Sequence, residues 1–129
     1  MGVRVWNGTK EGIKGDMDAL GTHHSDFPKG EVPDTTAVRF FPYKVKNNYQ
    51  LAVGLDSGQI LVWAYVASQS AWVKMVEIPS HLAHFQAVRR IKFNNRCSIG
   101  DGDDEKKVSE TTFATCSNDQ SVRIFRFTQ

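Results

Sequence analysis

This sequence is short of cysteine and proline, has no long apolar run and carries almost no net charge. Its two cysteines among 129 residues, Cys97 and Cys116, are too few for a disulfide framework and favour a reducing compartment. No apolar stretch reaches the roughly 18 residues of a membrane span. A formal net charge of +2 falls well below the basic bias of a dedicated nucleic-acid-binding domain. The N-terminus lacks an apolar secretory core, and position 6 is Trp6 rather than the Ser or Thr that myristoylation prefers after Met1-Gly2. Asn7-Gly8-Thr9 is accordingly read as a turn, not as a glycosylated sequon. These absences point to a cytoplasmic chain with access to the nucleus. Helical periodicity is nearly missing too, and Pro28, Pro33, Pro42 and Pro79 all fall between apolar stretches, where they interrupt no ladder.

What the chain does have is repetition. Residues 51–65 (LAVGLDSGQILVWAY) and 113–127 (FATCSNDQSVRIFRF) are one pattern written twice, 62 positions apart and without a gap. Leu51 answers Phe113, small Gly54 answers Cys116, and Asp56-Ser57-Gly58 answers Asn118-Asp119-Gln120 as turn residues. Ile60, Val62, Trp63 and Tyr65 then answer Val122, Ile124, Phe125 and Phe127. Repetition at this period predicts stacked units. Val3-Arg4-Val5-Trp6 matches Ile60-Leu61-Val62-Trp63 as the stump of a third copy, so the chain is expected to open inside a repeat.

Each copy alternates at period two and breaks at turn residues, the signature of strands joined by tight hairpins. In the first full unit the pattern predicts strands at 37–41, 50–55, 59–66 and 72–78. In the second it predicts 88–93, 112–117 and 121–127. Ile60, Val62 and Ala64 alternate with Leu61, Trp63 and Tyr65, so both faces of that strand are apolar. Such a strand belongs between two neighbouring sheets, as in radially stacked four-stranded sheets. The expected organisation is 1–34, the end of a preceding unit and a long loop; 35–80, one unit; and 81–129, the last unit with a polar insertion over 94–111.

These units resemble WD40 repeats. The second carries the spacing: His84, then Val88, Ile91 and Phe93, then Phe113-Ala114-Thr115-Cys116-Ser117, Asp119, and Val122-Arg123-Ile124-Phe125. The resemblance implies an all-β, partial WD40 β-propeller of about two blades plus a strand of a third, not closed. It also implies a structural hydrogen-bond chain of His84, Thr115 and Asp119, with Trp6, Trp63 and Phe125 as the aromatic core position of each blade. Phe125 cannot donate, so the last link of the family's chain is missing. The first unit departs further: Ser57 replaces the Asp, Val53 the Ser or Thr, and Glu31 the His, which leaves apolar stacking to hold it. Closure normally takes four blades or more, and the last unit lacks a fourth strand. A fragment, a shortened isoform or a truncated gene model is therefore expected, with apolar faces open to a partner.

A closer resemblance runs over residues 3–127, to the WD40 subunit family of the Elongator complex. It rests on 51–58 (LAVGLDSG), 86–91 (QAVRRI) and 113–117 (FATCS) with Asp119, Val122, Arg123 and Ile124. It implies a scaffold among other protein subunits, acting in transfer-RNA wobble-uridine modification, with the catalysis on another chain and no cofactor. A WD40 adaptor in ubiquitin ligation or trafficking is the alternative.

No residue cluster argues for an enzyme. His23-His24-Ser25-Asp26 holds metal-ligand types, but adjacent histidines rarely point to one centre, so it reads as a solvated loop. Residues 100–105 (GDGDDE) lack calcium-loop spacing and are followed by Lys106-Lys107, so they read as a solvated insert. Cys116 on a strand reads as core. Arg39, Lys44, Lys46, Arg89, Arg90 and Lys92 give a basic tint that is read as surface in preference to a transfer-RNA contact. Trp72 is read as packed within a fourth strand.

Overall fold

The computed structural model describes residues 3–9, 12–20, 33–44, 48–94 and 110–128. Within these described residues nine strands make three antiparallel sheets. β1 (Val3–Thr9) pairs with β2 (Gly12–Leu20); β3 (Thr35–Phe40), β4 (Gln50–Leu55), β5 (Ile60–Val66) and β6 (Ala71–Ile78) form a four-stranded meander; β7 (Val88–Phe93), β8 (Glu110–Ser117) and β9 (Val122–Thr128) form a three-stranded one. The architecture is the all-β, unclosed stack that the repeat predicts. Strand ends move by a residue or two from the sequence pattern. The larger differences are at the start: β1 runs through Asn7-Gly8-Thr9, read as a turn, and β2 pairs with it inside the stretch read as a long loop. β8 begins at Glu110, two residues early and inside the stretch read as insertion. Thr111 and Thr112 have the β-branching that suits a pleated surface, and their ladder with Phe127 and Arg126 holds them in the sheet.

The two hairpin turns repeat down to the backbone. Leu55 N–H donates to Gln59 O and Gly58 N–H to Leu55 O; Ser117 N–H donates to Ser121 O and Gln120 N–H to Ser117 O. Positive φ falls at matching positions, +90° at Gly58 and +66° at Gln120. The pairings β3–β4 and β7–β8 also share a register shift, between Thr35 and Ala37 and between Val88 and Arg90. Between β5 and β6 the chain turns through a short 3-10 segment, Ala67–Gln69, closed by left-handed Ser70.

Alternation along β4 and β5 builds two cores, one on each face of the middle sheet. Ala52, Ile60 and Val62 face the last sheet and pack with Val88, Ile91, Phe93 and Phe113. Leu51, Val53, Leu55, Leu61 and Trp63 form the other face, against which Val3 and Val5 of β1 and Trp72 of β6 pack. Every residue of β4 is buried, as are the first five of β5. Each such aliphatic side chain contributes about 1.5–3 kcal/mol, so sheet stacking dominates the stability. This is the apolar support expected for the unit that lacks the polar chain.

The seam between middle and last sheets is close because Gly54 has no side chain; a Cβ there would lie 2.6 Å from Cβ of Val88. Thr36 Oγ1 donates to Val88 O at 2.6 Å, and Tyr43 OH donates to Thr111 Oγ1 at 3.0 Å. Four rings run through the seam, with centroids 4.3 Å apart for Phe41–Phe93 and 5.3 Å for both Phe93–Phe113 and Phe113–Phe125.

Candidate functional site

Polar buried side chains are rare here, so those that exist define the site. The linker from β6 to β7 folds back over the two hairpin turns. Leu82 and Ala83 N–H donate to Pro79 O, and His84 N–H donates to Gly58 O. His84 is thereby driven fully inside, at 0% exposure. Its Nδ1 lies 3.1 Å from Asp119 Oδ2 and 3.0 Å from Ser121 Oγ, and its Nε2 lies 2.7 Å from Thr115 Oγ1. A carboxylate only accepts, so the proton between His84 and Asp119 rides on Nδ1; with the ring neutral, Thr115 donates to Nε2.

Asp119 is saturated with donors. It accepts from the Ser121 hydroxyl, from Phe85 N–H at 3.0 Å, from Ser121 N–H at 2.9 Å and from His84. Those bonds, the Ser121 hydroxyl foremost, hold its carboxyl well below the usual carboxylate range, against an opposing desolvation. The sign follows. An Asp with a depressed folded pKa stabilises the fold above its unfolded value of about 4, and that stability is lost as the pH falls. Urea midpoints measured between about pH 7 and pH 3 should therefore fall, and Asp119→Asn should flatten the dependence. A profile of equal slope in the variant would remove Asp119 as its source.

His84, Thr115 and Asp119 thus meet at one point. Sequence reasoning missed Ser121, whose signal is a Ser two residues after the turn Asp. Phe125 packs its ring on Phe113 at 5.3 Å where a donor would otherwise stand. Trp63 lies in the other core, 7% exposed. Trp6 sits on β1 opposite Met17 in the register, and its side chain is outside the described residues. In the middle sheet Ser57 Oγ bonds the neighbouring Gln59 side chain at 3.0 Å, a local turn contact.

The remaining candidates scatter. His23, His24, Ser25, Asp26, Glu31, Lys46, Cys97 and residues 100–105 lie outside the described residues. Among the described residues no three His, Cys, Asp or Glu side chains gather to hold a metal, and no helix is long and apolar enough to cross a membrane. Among the described basic residues, Arg89 Nε donates to Asn118 Oδ1 at 2.8 Å, and Lys44 Nζ lies 4.7 Å over the Tyr49 ring. Cys116 is half-buried on the outer face of the last sheet, away from the seam core where strand position alone put it. Trp72 is half-buried between Phe40 and Tyr65, with centroids at 6.3 and 5.6 Å.

No family model matches the chain. It is 31% identical over 133 aligned positions to Elongator complex protein 2 of Dictyostelium discoideum, covering 95% of this chain and 14% of that protein. Elongator complex protein 2 of Rattus norvegicus is 30% identical over 81 positions, covering 60% of the chain and 10% of the relative. The Danio rerio protein of that name is 30% identical over 99 positions, 70% of the chain and 12% of the relative. The chain therefore spans about a seventh or less of the length of these relatives. Fold and relatives agree: the chain is part of a WD40-repeat β-propeller, similar in sequence to Elongator complex protein 2.

Proposed function

We propose that the chain is a non-catalytic scaffold, a protein-binding part of an Elongator subunit serving the modification of the wobble uridine in transfer RNA. The observation that carries this reading is the burial of the catalytic-looking constellation found among the described residues. In a Ser–His–Asp triad the aspartate holds one ring nitrogen and the nucleophile faces the other. Here Asp119 and Ser121 both lie against Nδ1 of His84, and Nε2 is taken by Thr115, which is 1% exposed. The hydroxyl that faces the base is this buried Thr115, and neither it nor the His84 ring has exposed surface for a substrate. A network so enclosed rigidifies the link between two sheets. What it holds in place is surface, and surface is what a scaffold offers. The relatives' shared name supplies the complex. On this reading the chain works in the cytoplasm, with access to the nucleus, against other protein subunits.

The test is removal of residues 35–129 from the natural polypeptide, with an affinity tag left on the remainder. Recovery of the other Elongator subunits should fall about tenfold or more, which corresponds to at least ~1.4 kcal/mol of binding. Wobble-uridine modification, read by mass spectrometry of transfer RNA, should fall with it. Unchanged recovery and unchanged modification would sink the reading. Recovery of ubiquitin-ligase or trafficking subunits in their place would favour the adaptor alternative.

A further inference from the structure

The middle and last sheets meet chiefly along β3, β4 and β7 and open toward β6 and β9, so β3 and β7 form the inner edge of the stack. That edge is basic. β3 (TTAVRF) and β7 (VRRIKF) carry Arg39, Arg89, Arg90 and Lys92 and no carboxylate, and all of these cations are exposed. None makes an ion pair with a described carboxylate; Arg89 is tied through its Nε to Asn118 Oδ1. Charge of one sign gathered on two touching strands costs stability through self-repulsion, so folding does not explain it.

Position narrows the matter to two residues. Arg39 stands in the cross-strand row Arg39–Ala52–Val62, and Lys92 in the row Lys92–Ala114–Ile124. They occupy the same place in consecutive units. The row of Arg39 belongs to the face that the last sheet covers, and Ala52 and Val62 are both 0% exposed. Arg39 is exposed all the same, because its long stem carries the guanidinium past the sheet edge into water. Its exposure therefore owes nothing to a missing sheet on that face, and Lys92, one unit later, reaches the same edge. Stacked sheets lie about 10 Å apart, and two such stems let the charged heads converge on a ligand between them.

We propose that this inner edge binds a small polyphosphate, of the inositol polyphosphate or nucleoside polyphosphate class, with Arg39 on one phosphate and Lys92 on the next. Phosphate suits both heads: the guanidinium fork takes two oxygens of one group, and the ammonium acts as a point charge on another. Several charges on a small body match cations set one unit apart. A formal net charge of +2 is too low for a broad nucleic-acid surface, which limits the anion to one that a local cluster can satisfy. The site goes beyond the scaffold reading and needs no part of it.

The natural polypeptide is titrated calorimetrically with inorganic tripolyphosphate, which carries the shared chemistry alone. Inositol hexakisphosphate and ATP follow, and the tighter of the two names the source. One saturable site is expected, weakened about tenfold or more in Arg39→Gln with Lys92→Gln and weakened by added salt. The charge-matched pair Lys74→Gln with Arg126→Gln, on the far strands β6 and β9, should bind as the unaltered protein does. Tripolyphosphate should raise the thermal midpoint of the unaltered protein and leave that of the inner-edge variant where it was. Without ligand the inner-edge variant should melt no lower than the unaltered protein, since it loses repulsion and no ion pair. A lower midpoint would mark the two cations as structural and overturn the proposal. So would the absence of saturable binding, an equal loss in the far-strand pair, or binding that survives both inner substitutions. An RNA oligonucleotide that loses affinity in the variant, while tripolyphosphate neither binds nor competes, also overturns it. Subunit recovery is the separate readout of the scaffold reading: normal recovery without tripolyphosphate binding sinks this proposal alone.

Discussion

Phe113→Ala is expected to lower stability by about 3–5 kcal/mol, the range for deleting a buried aromatic side chain. Phe113 is 1% exposed and stands between Phe93 and Phe125, at 5.3 Å from each. It also touches the cluster of Ala52, Ile60, Val62 and Val88 that joins the sheets. The cavity would open where two sheets meet, and stiff β-ladders on both sides leave little room to collapse into it. A typical domain has only about 5–15 kcal/mol in total, so much of the population would unfold on mild urea. Urea titration followed by circular dichroism measures it. A loss below about 1 kcal/mol would mean that the ring stack bears little of the sheet-to-sheet contact.

Gly58→Ala should cost about 3 kcal/mol or more, while Gln120→Gly, at the repeat-equivalent position, should change stability by less than about 1 kcal/mol. The contrast separates two causes. Both positions have positive φ, and Gln120 shows that a side chain can be carried there. What differs is space: a Cβ on Gly58 would lie 1.8 Å from the His84 carbonyl oxygen and 2.5 Å from its carbon. Backbone cannot rotate away as a side chain can. The linker would have to lift, breaking the bond from His84 N–H to Gly58 O and drawing the imidazole off Asp119 and Thr115. Thermal unfolding of the two variants side by side measures the difference. Equal and small effects would mean that the linker is free to shift.

The repeat made much of this legible in the sequence. Period-two alternation fixed which face each side chain of β4 and β5 takes, because a one-residue slip would bring the opposite set inward. The double-faced apolar pattern of β5 announced a sheet between two others. His84, Thr115 and Asp119 could be grouped because the resemblance to WD40 repeats implies that chain at these positions. What the sequence could not announce depends on distances across the seam. Nothing local marks Thr36 as a donor to Val88, or Gly54 as the point where the next sheet touches backbone. In the sequence pattern Ser121 is only the first residue of a strand; the His84 ring that meets it comes from 37 positions away. The start of β8 failed for a different reason: Glu110 is polar, and only its pairing with Thr128 makes it strand.

The bond from Thr36 to the Val88 carbonyl joins residues 52 apart in the chain, whereas each meander closes on turns of a few residues. Folding rates fall as contacts become less local, since loop entropy is spent before the contact forms. The hairpins can therefore zip early and independently, and the seam between the sheets must come last. Until it does, Ile60, Val62, Ile91 and Phe93 stand in water on two half-built surfaces. The interval before docking is when a newly made chain is most exposed to aggregation, and residues that tighten the seam shorten it without touching either hairpin.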